Sequence, residues 1–158
     1  MSIINVVGAK IWGGGEQYVY DICKQLQQRH RTAYILVDQS NEDMQSRYAQ
    51  VGHVMTANLY TLKGFLSVNA VAKHMKEQGI NTIVCHSGKY ILFCIALKQL
   101  TGAKLVFIKH NLVPGKTDIY HRWINAQVDA FVCVSKLVYD DLMTPAIKDT
   151  SKYHVVYN

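Results

Sequence analysis

Gly13-Gly14-Gly15-Glu16-Gln17 is the stretch on which the reading of this chain turns. It follows a strand-like apolar run, Ile3 to Val7. It opens a segment in which Val19, Ile22, Cys23 and Leu26 form one apolar stripe at helical spacing. A glycine-rich turn between a first strand and a first helix puts no Cβ atoms in the way of a ligand. The helix start behind it offers unpaired N–H groups and a partial positive charge. The combination predicts close approach of an anionic group, nucleotide phosphates being the usual guests.

The rest of the chain alternates in the same way. Strand candidates are Ile3–Val7, Ala33–Val37, His53–Thr56, Thr82–Cys85, Lys104–Ile108, Ala130–Val134 and His154–Val156. Several are continuous β-branched runs, as expected of strands covered on both faces. Between them, Val68, Val71, Ala72 and Met75 make a second helical stripe, and Tyr90–Leu100 is apolar almost all round. Alternation of this kind predicts an α/β fold. The expected form is a Rossmann-like, doubly wound, mostly parallel sheet of about seven strands with helices on both faces, built as a single domain over residues 1–158.

Composition narrows the class. The 158 residues are 49% hydrophobic and 18% charged, which is globular and not disordered. No apolar run approaches the ~20 residues that span a bilayer, and no leader pattern opens the chain. A cytoplasmic location is expected, with peripheral attachment to the inner face of the membrane open. Cys23, Cys85, Cys94 and Cys133 lie in apolar stretches without a CxxC, and are expected as buried free thiols. The net charge of +6 suits anionic partners, but the cations are dispersed and no nucleic-acid motif is present.

Motifs of competing chemistries fail. Gly8 and Gly13 have the first spacing of a Walker A loop, but Gly14 and Gly15 stand where Lys and Ser/Thr are needed. GxGxxG fails because Ala9 and Lys10 follow Gly8. Asp38 ends the second strand, where a dehydrogenase has its ribose-binding acid, but it is a lone match. No HExxH, DxD or GxSxG occurs, so neither a catalytic metal nor a hydrolase elbow is supported.

Open parallel sheets bind ligands beyond the carboxyl ends of their strands. There the chain places Gly8, Asp38, His86-Ser87-Gly88, His110-Asn111, Ser135 and Asn158. His86 and His110, opposite the glycine turn, form a candidate catalytic crevice. Each also has a plainer role open to it, as a satisfied supporting histidine or a cap. Ser135 reads as the N-cap of a helix holding Leu137, Val138 and Leu142. His30, His53, His74, His121 and His154 share no spacing and read as surface or packing residues.

In this order the motifs resemble the N-terminal half of GT-B glycosyltransferases, of the glycosyltransferase family four type. Members often carry Gly-Gly-x-Glu at the place of Gly13–Glu16. Thr82–His86 resembles their strand ending in histidine. Phe107–Asn111 is similar to their next strand, commonly ending Thr-x-His and then Asp or Asn, although Phe107 and Ile108 replace the threonine here. Asp129–Ser135 resembles their acid, apolar run and Val-Ser. Val155–Asn158 is similar to the approach to the interdomain crossing.

The resemblance implies an acceptor-side domain whose partner is a C-terminal donor-binding domain absent from this chain. The implied enzyme is a retaining, metal-independent glycosyltransferase that uses a nucleoside diphosphate sugar as donor. No covalently bound cofactor is implied. The acceptor would be a glycan or a lipid-linked sugar of the cell envelope, and the isolated chain would be inactive, as a truncated half.

His110 is the expected catalytic-centre residue, hydrogen-bonding a sugar hydroxyl rather than acting as general base. Gly13, Gly14 and Gly15 would face the diphosphate. Glu16, His86 and Asn111 would bind substrate, with Glu16 either touching the acceptor or orienting the turn. Lys109 and Lys116 are candidate contacts to an anionic acceptor. Two alternatives stay open. One is a non-catalytic nucleotide- or phosphate-binding module. The other is a membrane-surface, acceptor-binding protein using Tyr60–Lys76 (Leu62, Phe65, Leu66 and Val68 beside Lys63, Lys73 and Lys76) as an interfacial helix.

Overall fold

The computed structural model describes residues 2–60, 64–143 and 150–157. Seven strands form one sheet: β1 (Ile3–Val7), β2 (Tyr34–Asp38), β3 (His53–Ala57), β4 (Thr82–Cys85), β5 (Lys104–Lys109), β6 (Ala130–Cys133) and β7 (Tyr153–Val155). Their order is β3-β2-β1-β4-β5-β6-β7, and every adjacent pair is parallel. The central strands β2 and β4 are buried at every position, as their unbroken apolar runs require. The edge strand β3 is mostly accessible, and its sequence is correspondingly more polar.

Between the strands lie α1 (Gly14–Gln28), α2 (Glu42–Tyr48), α3 (Gly64–Glu77), α4 (Ile91–Thr101), α5 (Ile119–Gln127) and α6 (Lys136–Leu142), with one 3₁₀ turn over Gly88–Tyr90. The strand pleat divides the core in two. Val7, Ile35 and Val37 point to α1 and α2, where they meet Val19, Cys23, Met44 and Tyr48. Ile4, Val6, Leu36 and Ile83 point to the other face and pack on α3 and α4. Val68, Val71, Ala72 and Met75 are all buried there. These four residues of α3 are therefore spent on the core, whereas Leu66 of the same helix is 83% exposed. Leu62 and Lys63 lie outside the described residues, as does Asn158.

Helix ends follow local chemistry. Ser135 Oγ accepts from the Val138 N–H at 3.2 Å, the expected N-cap of α6. Leu137 of that helix is 65% exposed, so only Val138 and Leu142 of the expected stripe are core. Helix α4 closes on Gly102, whose φ of 71° is left-handed. The segment between β2 and β3 holds α2. Asn41 caps α2 by accepting from the Met44 N–H at 3.1 Å. All four cysteines are buried and free. No helix among the described residues is long and apolar enough to cross a membrane.

Candidate functional site

The strand order reverses between β1 and β4, since β1 leads to β2 on one side and β4 to β5 on the other. The loops leaving such neighbours diverge and open a crevice above the carboxyl ends. The crevice here has a volume of about 980 Å³. Gly14, Gly15, Glu16, His86, His110 and Asn111 all line it, whereas Gly13, the third glycine expected there, does not. A second crevice of about 580 Å³ lies beyond β5, with His86, His110 and Asn111 on its wall as well.

The chain leaves β1 through Gly8. A Cβ there would stand 2.8 Å from the Tyr60 hydroxyl and 2.9 Å from the Tyr90 ring, so the tight passage demands glycine. The following loop is tied down by α2 and its cap. Asn41 Nδ2 donates to the Ala9 carbonyl at 2.9 Å, and the Tyr48 hydroxyl donates to the Glu16 carbonyl at 3.0 Å. Gly13, the extended N-cap of α1 (φ −143°), has no side chain to cap with. Instead the Glu16 carboxylate accepts from the Gly13 N–H at 3.1 Å, one half of a capping box. The first intrahelical bond is Gln17 N–H to Gly13 O, at 3.0 Å. The amides of Gly14, Gly15 and Glu16 therefore have no acceptor within the helix. A Cβ on Gly14 would meet nothing within 4 Å, and one on Gly15 would lie 3.7 Å from the His110 ring.

His86 and His110 are both half-buried. Their rings lie nearly parallel, 23° apart with centroids at 5.4 Å, and His86 Nδ1 is 3.0 Å from His110 Nε2. Tyr18 of α1 packs edge-on against His110 at 5.4 Å and against His86 at 6.5 Å. Burial, reinforced by the neighbouring His110, pushes His86 down to about 3. Burial also lowers His110, while Glu16 acts in the opposite sense. Both rings are neutral at physiological pH, so they offer one donor and one acceptor nitrogen each.

Sequence reasoning missed three parts of this site. Asn5, buried inside β1, lies with its Oδ1 3.1 Å from His86 Nε2. Lys10 and Lys89 place cations on the crevice wall. Lys89 directly follows the His86-Ser87-Gly88 cluster, which was the available signal. Asp38 lines the crevice but is already occupied. It accepts from the Ser40 N–H at 3.0 Å and from the Leu59 N–H at 2.9 Å, tying the β2 loop to the β3 loop. Asn111 is exposed at the mouth and Lys109 half-buried, with burial lowering the Lys109 ammonium. Among the described residues no group of three or more His, Cys, Asp or Glu is placed to hold a metal ion.

Comparison with known proteins agrees with this architecture. A glycosyltransferase from Rickettsia africae ESF-5 superposes with a TM-score of 0.84 at 18% identity, covering 99% of this chain and 42% of that one. Anabaena Alr3699/HepE, crystallised with UDP and glucose, gives 0.71 at 17% identity over 100% of this chain and 44% of its own. The lipopolysaccharide outer core galactosyltransferase WaaB gives 0.70 at 14% identity, with 46% of its chain covered. The chain thus spans under half the length of these structures, and the likeness at such identities is one of fold. No curated protein matches it significantly. The sequence model of Glycosyltransferase Family 4 matches residues 12–158, nearly the whole chain, and the protein belongs to that family.

Proposed function

We propose that this chain is the acceptor-side half of a sugar transferase, which works with a C-terminal donor-binding domain. The pair would move a sugar from a nucleoside diphosphate sugar to an acceptor hydroxyl, with retention at the anomeric carbon and without a metal. One observation carries the reading: the first-turn glycines of α1 and the His110 ring border the same crevice at the reversal of strand order. The free amides of Gly14 and Gly15 are placed to hold charge that grows on a departing diphosphate. Glu16 holds Gly13 in the turn, which supports its orienting role over a direct contact. His110 positions a sugar hydroxyl, and Asn111 at the mouth meets the acceptor.

Donor affinity in this reading needs both halves. Titration of the isolated chain with UDP, GDP and their sugars by calorimetry is expected to show no saturation in the micromolar range. Tight binding to this half alone would instead mark a self-sufficient nucleotide-binding module.

A lipid-linked acceptor is favoured over a soluble glycan by the second crevice. Val113 and Tyr120 line it and are exposed, and Leu112, Ile119 and Trp123, next to its lining residues in sequence, are exposed too, Ile119 at 86%. Lys116 lines the same crevice, and Arg122 lies between Tyr120 and Trp123 on α5. Apolar side chains interleaved with cations suit an anionic bilayer surface. In flotation with anionic liposomes at low salt the chain is expected to rise with the vesicles. Ile119→Ser with Trp123→Ser should leave it at the bottom of the gradient. Failure of the native chain to float would sink the membrane reading and leave the transferase reading standing.

A further inference from the structure

The polar residue inside β1 has no place in the chemistry so far. Asn5 is 4% exposed in a strand otherwise made of Ile and Val. A buried amide costs stability unless its groups are paired. Its Nδ2 faces Cys23 Sγ at 3.9 Å, a weak partner. Its strong partner is His86 Nε2 at 3.1 Å, and His86 Nδ1 in turn meets His110 Nε2 at 3.0 Å. One side chain from β1 and one from just past the end of each of β4 and β5 thus form one line from the core to the crevice.

We propose that Asn5 and His86 are positioning residues that fix the tautomer of His110 and so present its Nδ1 to the crevice as a hydrogen-bond acceptor. The logic is one of counting protons. An amide oxygen only accepts, so His86 must carry its proton on Nε2. A neutral imidazole has one N–H, so His86 Nδ1 is a lone pair and takes its hydrogen from His110 Nε2. His110 is then left with a bare Nδ1. That atom lies toward the glycine turn, 4.0 Å from where a Gly15 Cβ would stand. Without Asn5 the two imidazoles can pair with either polarity, and half of those arrangements would offer a donor instead. An acceptor nitrogen takes the hydrogen of a sugar hydroxyl and leaves that hydroxyl's oxygen free for another donor. The low proton affinity of His86 keeps the line from reversing through an imidazolium.

This inference rests on the role given to His110 under the proposed function, but its test does not need activity. Long-range proton–nitrogen correlation spectra of the chain at neutral pH report which ring nitrogen of each histidine bears the proton. The expected result is Nε2–H for both His86 and His110. Nδ1–H at His110 in the native chain would overturn the proposal.

Asn5→Leu is expected to convert both rings to mixed tautomers, and an unchanged spectrum would remove Asn5 from the relay. Cys23→Ala, which disturbs the same β1–α1 packing but not the His86 contact, should leave both tautomers as they are. Mixing in that variant would show that packing, not the hydrogen bond, sets them. Should Asn5→Leu fail to fold, His86→Ala leaves β1 whole and is expected to release His110 in the same way. A sole Nε2–H tautomer surviving in that variant would refute the relay. Native tautomers as expected, in an enzyme that transfers no sugar, would refute only the transferase reading.

Discussion

Replacing His110 by alanine is expected to lower kcat of the proposed two-domain transferase about a hundredfold, with kcat/KM falling in step. The ring borders the turn that would meet the donor, and under the proposed function its contribution is to hold a hydroxyl in the reacting geometry. An interaction realised mainly in the transition state is lost from kcat rather than from binding. The fold should survive the change. His110 is half-buried and projects from the end of β5. Its side chain bonds to His86 Nδ1, which the relay makes an acceptor and which crevice water can satisfy. Initial rates of sugar transfer check the prediction. A variant retaining native kcat would take His110 out of the reaction centre, whatever happened to KM.

The second large effect is on stability, and it is read in acid. His86 has a folded value of about 3 against 6.5 in the unfolded chain. Between those values the unfolded chain binds a proton that the folded chain refuses. By linkage, stability then falls as pH drops through 6.5 and levels off near 3, the full stabilisation being present above 6.5. From pH 7 to pH 4.5 the loss attributable to His86 is about 2 kcal/mol. One pKa unit corresponds to about 1.4 kcal/mol, and partial contact with crevice water trims the sum. The lowered carboxyls of Asp118 and Asp129 act only at lower pH, so they do not mask the effect. Urea unfolding at the two pH values should show the drop in the native chain and a much smaller one in His86→Gln. Equal drops in both proteins would mean that His86 is not held neutral by the fold.

These two histidines also show what could and could not be read in advance. Both were legible as strand-end residues, because His86 directly closes the apolar run of β4, and the apolar run Leu105–Ile108 of β5 is followed by Lys109 and then His110. The glycine turn was legible for the same reason. Helix α2 was not, since seven residues with Met44 and Tyr48 as the buried pair are too few to establish a period. Helix α5 buries Ile124 alone and leaves Ile119, Tyr120 and Trp123 outside, so its apolar residues describe no core-facing stripe. Their caps were the available signals. Asn41 accepts from Met44 N–H, and Asp118 accepts from His121 N–H.

Local burial is written in the sequence as periodicity, and the alternation of strands and helices follows from it without reference to the rest of the chain. The order in which the strands lie does not follow, because it depends on which distant surfaces pack best together. Only the folded sheet sets β1 between β2 and β4, and with that it opens the crevice at the reversal. The same placement brings Asn5 to His86 across 81 positions of sequence. In the sequence Asn5 is a lone polar residue in an apolar strand, with no sign of a partner. Its meaning is a hydrogen bond that exists only once two strands far apart in the chain become neighbours.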